Sequence, residues 1–300
     1  MDLKTLTEIN APSGHEQAIR RFLLDELKKL GFAPVLDRMG NVVVVKEGTG
    51  DAPRKRVMVS AHMDEVGLIV TSATEDGYLR IAAAGGIDPR VLVSKRVTVG
   101  EDKLPGVIGA VPIHLQSAAE RKHVLSMDEL LVDIGAKNKD EAECKAPMGT
   151  YISFDTPYVE YGDGFACGKA FDDRVGCLSL LRLLQEELPV DLVACFVSEE
   201  EVGCRGAKGA AFQQEPDVGI VLEGTTCNDL GDVPETAHVC EAGQGVAVSF
   251  MDGASIANRA LFRKALDVAK QENIPHQVKH SVSGGNDGGA IQRAREGVPV

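Results

Sequence analysis

Several apolar runs of this sequence lie directly beside a histidine or a set of carboxylates. Each run has the composition of a buried strand or helix face, and charged groups are costly to bury unless they are paired or bind a metal. Because the junctions carry complementary chemistry, the sequence predicts a metal site assembled at the ends of strands. Three junctions and a possible fourth are residues 60–64 (SAHMD), 171–174 (FDDR), 199–203 (EEEVG) and 221–224 (VLEG).

Strand-like and helix-like segments alternate through much of the chain. This alternation predicts an α/β fold in three layers, with a sheet covered by helices on both faces. Ligands of such sheets gather beyond the carboxyl ends of the strands, where His62, Glu200, Glu201 and Glu223 are expected. The predicted strands are 41–46, 56–60, 190–197, 218–222 and 246–250, and the predicted helices are 15–30, 172–188, 258–272 and one from about 202.

Residues 67–162 differ in character, because short β-like runs separated by glycine and proline turns replace the alternation. This pattern predicts a small β-barrel or sandwich inserted into the α/β domain. The α/β domain is then discontinuous and consists of residues 1–66 and 163–300. The β-like runs are 66–73, 78–82, 96–99, 107–111 and 150–154, with one short helix near 139–144.

The composition of the chain argues against some binding partners and some cellular locations. The 300 residues include 32 basic and 45 acidic side chains, a net charge of −13 that disfavours nucleic acid and anionic membranes as partners. No apolar run reaches the roughly 18–20 residues of a membrane span, and the first residues lack the features of a signal peptide. Seven cysteines fit free thiols in a cytoplasmic protein, while Cys204 and Cys227 lie close to acidic clusters and could be reactive.

His62 and Asp64 alternate along an extended segment, so both side chains point the same way and the carboxylate can orient the imidazole. A solvated loop is the alternative.

Asp172 and Asp173 precede a helix, and helix capping explains one of them. The second aspartate is then available to bridge two cations.

Glu200 and Glu201 follow a buried strand. An exposed acidic turn is one interpretation, and the other has one glutamate on a metal and its neighbour acting as general base. Glu223 is either a metal ligand or a surface carboxylate at a strand end.

The glycine-rich residues 283–289 lack the lysine of a phosphate loop and predict a tight turn near a substrate, with Asp287 as the first residue of a helix.

One histidine and several carboxylates form a mixed nitrogen and oxygen ligand set that suits zinc, cobalt or manganese. The sequence has no serine in a nucleophile elbow, and no cysteine carries a matching histidine signature. Hydrolysis by metal-activated water is therefore the favoured chemistry.

With these motifs the chain resembles the glutamyl and tetrahedral aminopeptidases, dinuclear metallopeptidases that include proteins once labelled cellulase M. The resemblance runs through nearly the whole chain. It rests on residues 11–14 (APSG), 60–67 (SAHMDEVG), 85–92 (GGIDPRVL), 168–174 (GKAFDDR), 200–207 (EEVGCRGA) and 283–287 (SGGND).

The resemblance implies two divalent metal ions per subunit. His62 and Glu223 would bind one ion, Asp172 would bridge both, and Glu201 would bind the second. Glu200 would be the general base, and Asp64 would orient His62. The resemblance also implies release of N-terminal residues from short peptides, dimerisation through the inserted β region, and assembly up to a dodecamer. The turn with Gly284, Gly285 and Asn286 is expected to approach the substrate.

The resemblance also implies a further histidine ligand in a segment beyond the glycine-rich turn, and this chain stops at Val300, before that segment. The expectation is a catalytic domain truncated at its carboxyl end, whose last three residues read as the start of a strand. A catalytically impaired fragment or an assembly subunit is therefore one alternative to the aminopeptidase. A deacylase or a glycosidase is the other alternative, although a glycosidase needs two free carboxylates and the carboxylates here are expected to bind metal.

Overall fold

We describe the protein from a computed structural model that covers residues 1–300, with every side chain except that of Glu120. The helices are α1 (Leu3–Thr7), α2 (Gln17–Lys29), α3 (Lys139–Lys145), α4 (Phe171–Leu183), α5 (Arg205–Gln214), α6 (Arg259–Gln271) and α7 (Asp287–Gln292). The strands are β1 (Val35–Leu36), β2 (Val42–Lys46), β3 (Arg56–His62), β4 (Gly67–Ala73), β5 (Leu79–Ala84), β6 (Arg96–Val99), β7 (Leu104–Gly109), β8 (Leu131–Asp133), β9 (Tyr151–Phe154), β10 (Val159–Tyr161), β11 (Phe165–Cys167), β12 (Asp191–Val197), β13 (Val218–Val221), β14 (Val246–Val248) and β15 (His276–Val278).

The chain forms two compact units. The first contains Met1–Ile19 and Asp64–Phe171, and the second contains Arg20–Met63 and Asp172–Val300. Among the helices of the described chain, none combines the length and the apolar character that crossing a bilayer requires.

The first unit contains a closed barrel with the strand order β4-β5-β8-β7-β6-β9, and all neighbouring strands are antiparallel. Apolar side chains from different strands fill its interior, among them the fully buried Leu68, Leu79, Ile108 and Ile152. Closure leaves the barrel without free sheet edges. The sequence predicted either a barrel or a sandwich here, and the structure shows a barrel. Helices and strands together confirm the predicted mixed α/β fold.

The second unit contains a five-stranded sheet with the order β1-β2-β12-β3-β13. Strands β12 and β13 flank β3 and run parallel to it, while β2 is antiparallel to β12. The predicted strand at 246–250 does not join this sheet, because β14 pairs with β15 in a separate two-stranded parallel sheet. The β13 edge instead receives the chain end, where Gly219 N–H donates to the Pro299 carbonyl at 2.8 Å.

Helices α5 and α7 pack on the sheet of the second unit through small side chains. Ala207 and Ala211 of α5, with Ala290 and Ile291 of α7, join β-strand valines in one buried cluster. Small residues allow a close approach, and a Cβ at Gly206 would collide with the Asn41 side chain and with the backbone of Ser198, which follows β12. The start of α5 is thereby held against the segment that follows β12.

Candidate metal centre

Three parallel strands bring polar side chains to one edge of the sheet. Strand β3 ends at His62, which lies opposite Val197, the last residue of β12. The acidic residues 199–201 follow β12, and Glu223 comes two residues after β13 ends. Since the carboxyl ends of parallel strands meet at the same edge, the sequence predicted this placement correctly.

His62 is the centre of a group of three potential ligands. Its Nε2 atom lies 3.1 Å from Asp172 Oδ1 and 3.3 Å from Glu223 Oε1. One ligand atom from each of the three side chains lies within 4.8 Å of the others. The imidazole is buried, and the side chain of Asp172 is about half exposed. The group therefore combines a buried end with a face open to solvent.

The two adjacent aspartates have different roles. Asp173 is fully buried, and its carboxylate accepts hydrogen bonds from Gly176 N–H at 3.0 Å and from His62 N–H at 3.2 Å. It thus caps the regular part of α4 and ties the helix to the end of β3. Asp172, joined to Asp173 by a cis peptide bond, has extended backbone angles and faces His62. The capping interpretation holds for Asp173, and the spare carboxylate is Asp172.

The carboxyl groups differ in acidity for physical reasons. Burial would raise the pKa of Asp172, but hydrogen bonds with His62, Glu223 and the Gly224 N–H bring it below the ordinary value. Burial raises the pKa of Glu223 to about 8, and the negative charges of Asp172 and Glu200 act in the same direction. Burial also raises the pKa of Asp173 well above the ordinary value. In the absence of a metal ion, Glu223 therefore favours its protonated form at neutral pH.

A divalent cation fits this group. Glu223 Oε2 is buried and, among the described side chains, has no hydrogen-bond partner, so one ligand oxygen is left unsatisfied. A buried oxygen without a partner is costly, and a cation would satisfy it. Gly224 keeps the site open, because a Cβ there would lie 2.9 Å from the Asp172 carboxyl carbon. The nitrogen and oxygen donors suit zinc, cobalt or manganese.

A second group of potential ligands lies in the same unit and contains Glu200, Cys204 and Asp287, with one ligand atom from each within 4.8 Å of the others. The Cys204 thiol donates to Glu200 Oε1 at 3.2 Å. Burial, with the charges of Asp287 and Glu200, raises the pKa of the thiol, so it stays protonated and remains a donor. In the part of the chain with described side chains, neither group of three includes Glu201.

Asp64 belongs to the first unit. It is fully buried and accepts a hydrogen bond from the Ser13 hydroxyl at 2.6 Å. Its neighbour Glu65 is also buried and pairs with Lys169, whose ammonium lies 2.8 Å from both carboxylate oxygens. The segment after β3 is thus anchored by polar contacts, and the orienting role of Asp64 toward His62 stays a prediction.

The glycine-rich turn leads into α7. Gly284 has a positive φ of 79°, and its carbonyl accepts from Gly253 N–H at 2.7 Å. Gly285 lies close to Ala254. Asn286 caps α7 through Oδ1, which accepts Gly288 N–H at 2.8 Å. The predicted helix start at Asp287 is correct, and the contact of this turn with substrate stays a prediction.

Sequence reasoning missed the second group of three. The sequence indicates a free thiol at Cys204 that could be reactive and the first residue of a helix at Asp287, but it predicts neither as part of a ligand group. The signal was available for Cys204, which lies four residues after Glu200 in a turn closed by Cys204 N–H donating to the Glu200 carbonyl at 2.8 Å. Asp287 is more than eighty positions away, and only the tertiary fold brings it near.

Comparison with known proteins gives a consistent result. Residues 40–300 match the family model described as M42 glutamyl aminopeptidase. The chain is 34% identical over 309 residues to the glutamyl aminopeptidase of Lactococcus lactis subsp. cremoris (strain MG1363), covering 99% of this chain and 85% of that protein. The solved TET aminopeptidase of the marine sediment archaeon Thaumarchaeota archaeon SCGC AB-539-E09 matches with a TM-score of 0.93 and 32% identity, over 99% of this chain and 85% of that one. The Pyrococcus horikoshii TET1 peptidase, described as assembling into a tetrahedron or a large octahedral shell, matches with a TM-score of 0.84 and 32% identity, over 98% and 87%.

Proposed function

Because the chain belongs to the M42 glutamyl aminopeptidase family, we propose that it is a metal-dependent aminopeptidase that removes the N-terminal residue from short peptides. The observation that carries the proposal is the convergence of His62, Asp172 and Glu223, with one buried oxygen of Glu223 lacking a partner. Burying charged groups together is costly unless they are compensated, and a divalent cation would compensate the two carboxylates beside His62.

His62 and Glu223 would hold one divalent ion, Asp172 would bridge to a second, and Glu201 would bind that second ion. When bound, zinc, cobalt or manganese supplies Lewis acidity that polarises the scissile carbonyl and makes water more acidic. The proposed centre is dinuclear, and the half-exposed side chain of Asp172 would face the second ion.

Glu200 would act as the general base. It lies near the centre, since its charge raises the pKa of Glu223. Its carboxylate would accept a proton from the attacking water and return it to the leaving amine. The Cys204 thiol, which donates to Glu200 Oε1, would orient that carboxylate.

Three further assignments complete the proposal. Asp64 would orient the imidazole of His62, and the turn with Gly284, Gly285 and Asn286 would border the peptide. Residues 1–66 and 163–300 would form the three-layer catalytic domain. The protein would lie in the cytoplasm, and the seven cysteines, which form no disulfide among the described residues, support this location.

We also propose self-association. The TET1 peptidase of Pyrococcus horikoshii is described as assembling into a tetrahedron or a large octahedral shell, and 98% of this chain matches it. Residues 67–162, which contain the barrel, would provide a dimer contact, and dimers would build a dodecamer. Exposed apolar side chains on this segment, including Val107, Val111 and Leu115, support an interface there. Size-exclusion chromatography with light scattering tests this proposal directly.

The first experiment combines metal stoichiometry with cleavage of aminoacyl-anilides by the 300-residue chain. Two ions per chain and turnover that a chelator abolishes would support the proposal, and Glu235→Gln, an exposed carboxylate, is the matched control. Metal-loaded protein that releases no residue from any anilide or short peptide would refute it and favour a non-catalytic assembly subunit. Sugar hydrolysis that resists chelation would favour a glycosidase.

A further inference from the structure

Two cysteines that the catalytic proposal does not use lie side by side in the second unit. The Cys240 thiol points at Cys227, and the two sulfur atoms are 3.5 Å apart. Cys240 is buried, whereas Cys227 is partly exposed. A pair with one accessible and one shielded thiol has the arrangement of an attacking and a resolving cysteine.

The backbone holds the two sulfur atoms together. Val239 N–H donates to the Cys227 carbonyl at 2.8 Å, and Cys240 N–H donates to the same oxygen at 3.3 Å. Asn228 also donates through its side chain to the Ala237 carbonyl at 2.9 Å. The two segments therefore run side by side at this point, and a small rotation of the side chains closes the gap to a bond of about 2 Å.

The pair lies on the segment that leaves the metal centre. Cys227 comes four residues after Glu223, and the Gly224 N–H between them bonds to Asp172. The partner segment is fixed elsewhere, since Glu241 N–H donates to the Gln277 side chain at 2.8 Å. A covalent link between the cysteines would tie the segment that carries Glu223 to the β14–β15 sheet.

We propose that Cys227 and Cys240 are a site of reversible disulfide formation driven by a hydroperoxide. The Cys227 thiolate attacks the peroxide O–O bond, which yields a sulfenic acid and one molecule of alcohol or water. The Cys240 sulfur then attacks the sulfenic sulfur, forming the S–S bond and releasing water. Two thiols are oxidised and one peroxide is reduced, so protons and electrons balance.

The order of the two steps follows from the environments. Burial and the contact with Cys227 raise the pKa of Cys240 to about 11, so Cys240 is a poor first nucleophile at neutral pH. The partly exposed Cys227 reacts first, and the proximity of Cys240 makes the second step intramolecular.

The sequence allows a sharp test by mass spectrometry. No lysine or arginine lies between the two cysteines, so trypsin leaves both in one peptide, whereas cleavage before Asp229 and Asp232 separates them. The whole 300-residue protein is treated with hydrogen peroxide, quenched with an alkylating agent and cut before aspartates. We expect residues 217–228 and 232–251 to remain linked, about 2 Da below their summed mass, and to separate after treatment with dithiothreitol.

Thiol titration and thermal melting give independent readouts. Titratable thiols in denaturant should fall from seven to five, because two enter the bond. The oxidised protein should melt roughly 5 °C higher, since the link restricts the unfolded chain. Cys227→Ser should abolish the linked peptides, while Cys144→Ser and Cys167→Ser, at exposed thiols, should leave them unchanged. Three results with wild-type protein would each overturn the proposal. They are alkylation of both cysteines after peroxide treatment, oxidation of Cys227 only to a sulfinic acid, and a disulfide between Cys227 and a cysteine other than Cys240.

Discussion

Replacing Glu223 by glutamine should stabilise the metal-free protein and lower its affinity for metal ions. The folded protein raises the pKa of Glu223 from 4.5 to about 8. Between these values the folded state binds a proton that the unfolded state has released. The stability that this proton contributes is complete below pH 4.5 and is lost as the pH rises toward 8.

The size of the effect follows from the shift. At 1.36 kcal/mol for each pKa unit, the full shift corresponds to roughly 5 kcal/mol. The Glu223 side chain is 21% exposed, and local hydration reduces the cost of its charge. We therefore expect the metal-free wild type at pH 8 to be less stable than Glu223→Gln by about 2 kcal/mol, with the difference vanishing near pH 4.5.

Urea unfolding of chelator-treated protein between pH 4.5 and 8.5 measures this difference. Far-UV circular dichroism is the suitable probe, because the chain has no tryptophan. Glu235→Gln, at an exposed position on the same segment, is the control and should follow the wild type at every pH. Added zinc or cobalt should reverse the order, since only the wild type offers a carboxylate ligand at residue 223 and gains stability from binding.

Parallel pH profiles for the wild type and Glu223→Gln would refute the argument. That result would mean that Glu223 ionises normally in the folded protein, and that the burial of its carboxyl carries no energetic penalty. A metal-dependent gain of equal size in both proteins would separately refute its role as a ligand.

Four further variants test other charged groups of the protein. Asp172→Asn should weaken metal binding, measured by calorimetry, at least tenfold and should change the melting temperature little. Asp173→Ala should instead lower the free energy of unfolding by about 1–2 kcal/mol, because it removes the helix cap. Glu200→Gln should lower kcat by roughly 10²–10⁴ while metal content, measured by atomic emission, stays the same; a kcat within tenfold of the wild type would exclude it as the base. Lys169→Met should destabilise the protein by about 3–5 kcal/mol in urea unfolding, because it leaves the buried Glu65 carboxylate without its ammonium partner; a change below 1 kcal/mol would refute this role of the ion pair.

The sequence predicted the parts of the fold that are set by local pattern. Long apolar runs such as 190–197 became buried strands, and parallel neighbours followed from the alternation with helices. Because strand direction decides where side chains after a strand collect, His62, Glu223 and the acidic residues 199–201 could be placed together without coordinates. The density of turns between short β-like runs predicted a small β-barrel or sandwich, and the structure shows the barrel.

The parts that escaped prediction depend on partners distant in sequence. Strand β8 and the hairpin of β10 and β11 have three residues per strand, too few for an alternating pattern, and they exist through pairing with their neighbours. Strand β14 had a recognisable pattern, but its partner β15 was not predicted, so its sheet was assigned wrongly. The sulfur pair of Cys227 and Cys240 likewise follows from adjacent segments that no periodicity reveals.

The two adjacent aspartates show how environment assigns different roles to identical side chains. Both oxygens of Asp173 accept backbone N–H groups, from Gly176 and His62, within a fully buried setting that raises its pKa. Such a carboxyl has no free oxygen to offer a metal ion. Asp172 keeps its pKa below the ordinary value and has an open side, so it remains an anion that a cation can approach. By fixing Asp173 between α4 and β3, the helix cap places the carboxylate of the preceding Asp172 beside His62. It follows that Asp173→Asn, which retains one acceptor oxygen for the cap, should preserve metal affinity better than Asp172→Asn, and equal losses in the two variants would contradict this division of roles.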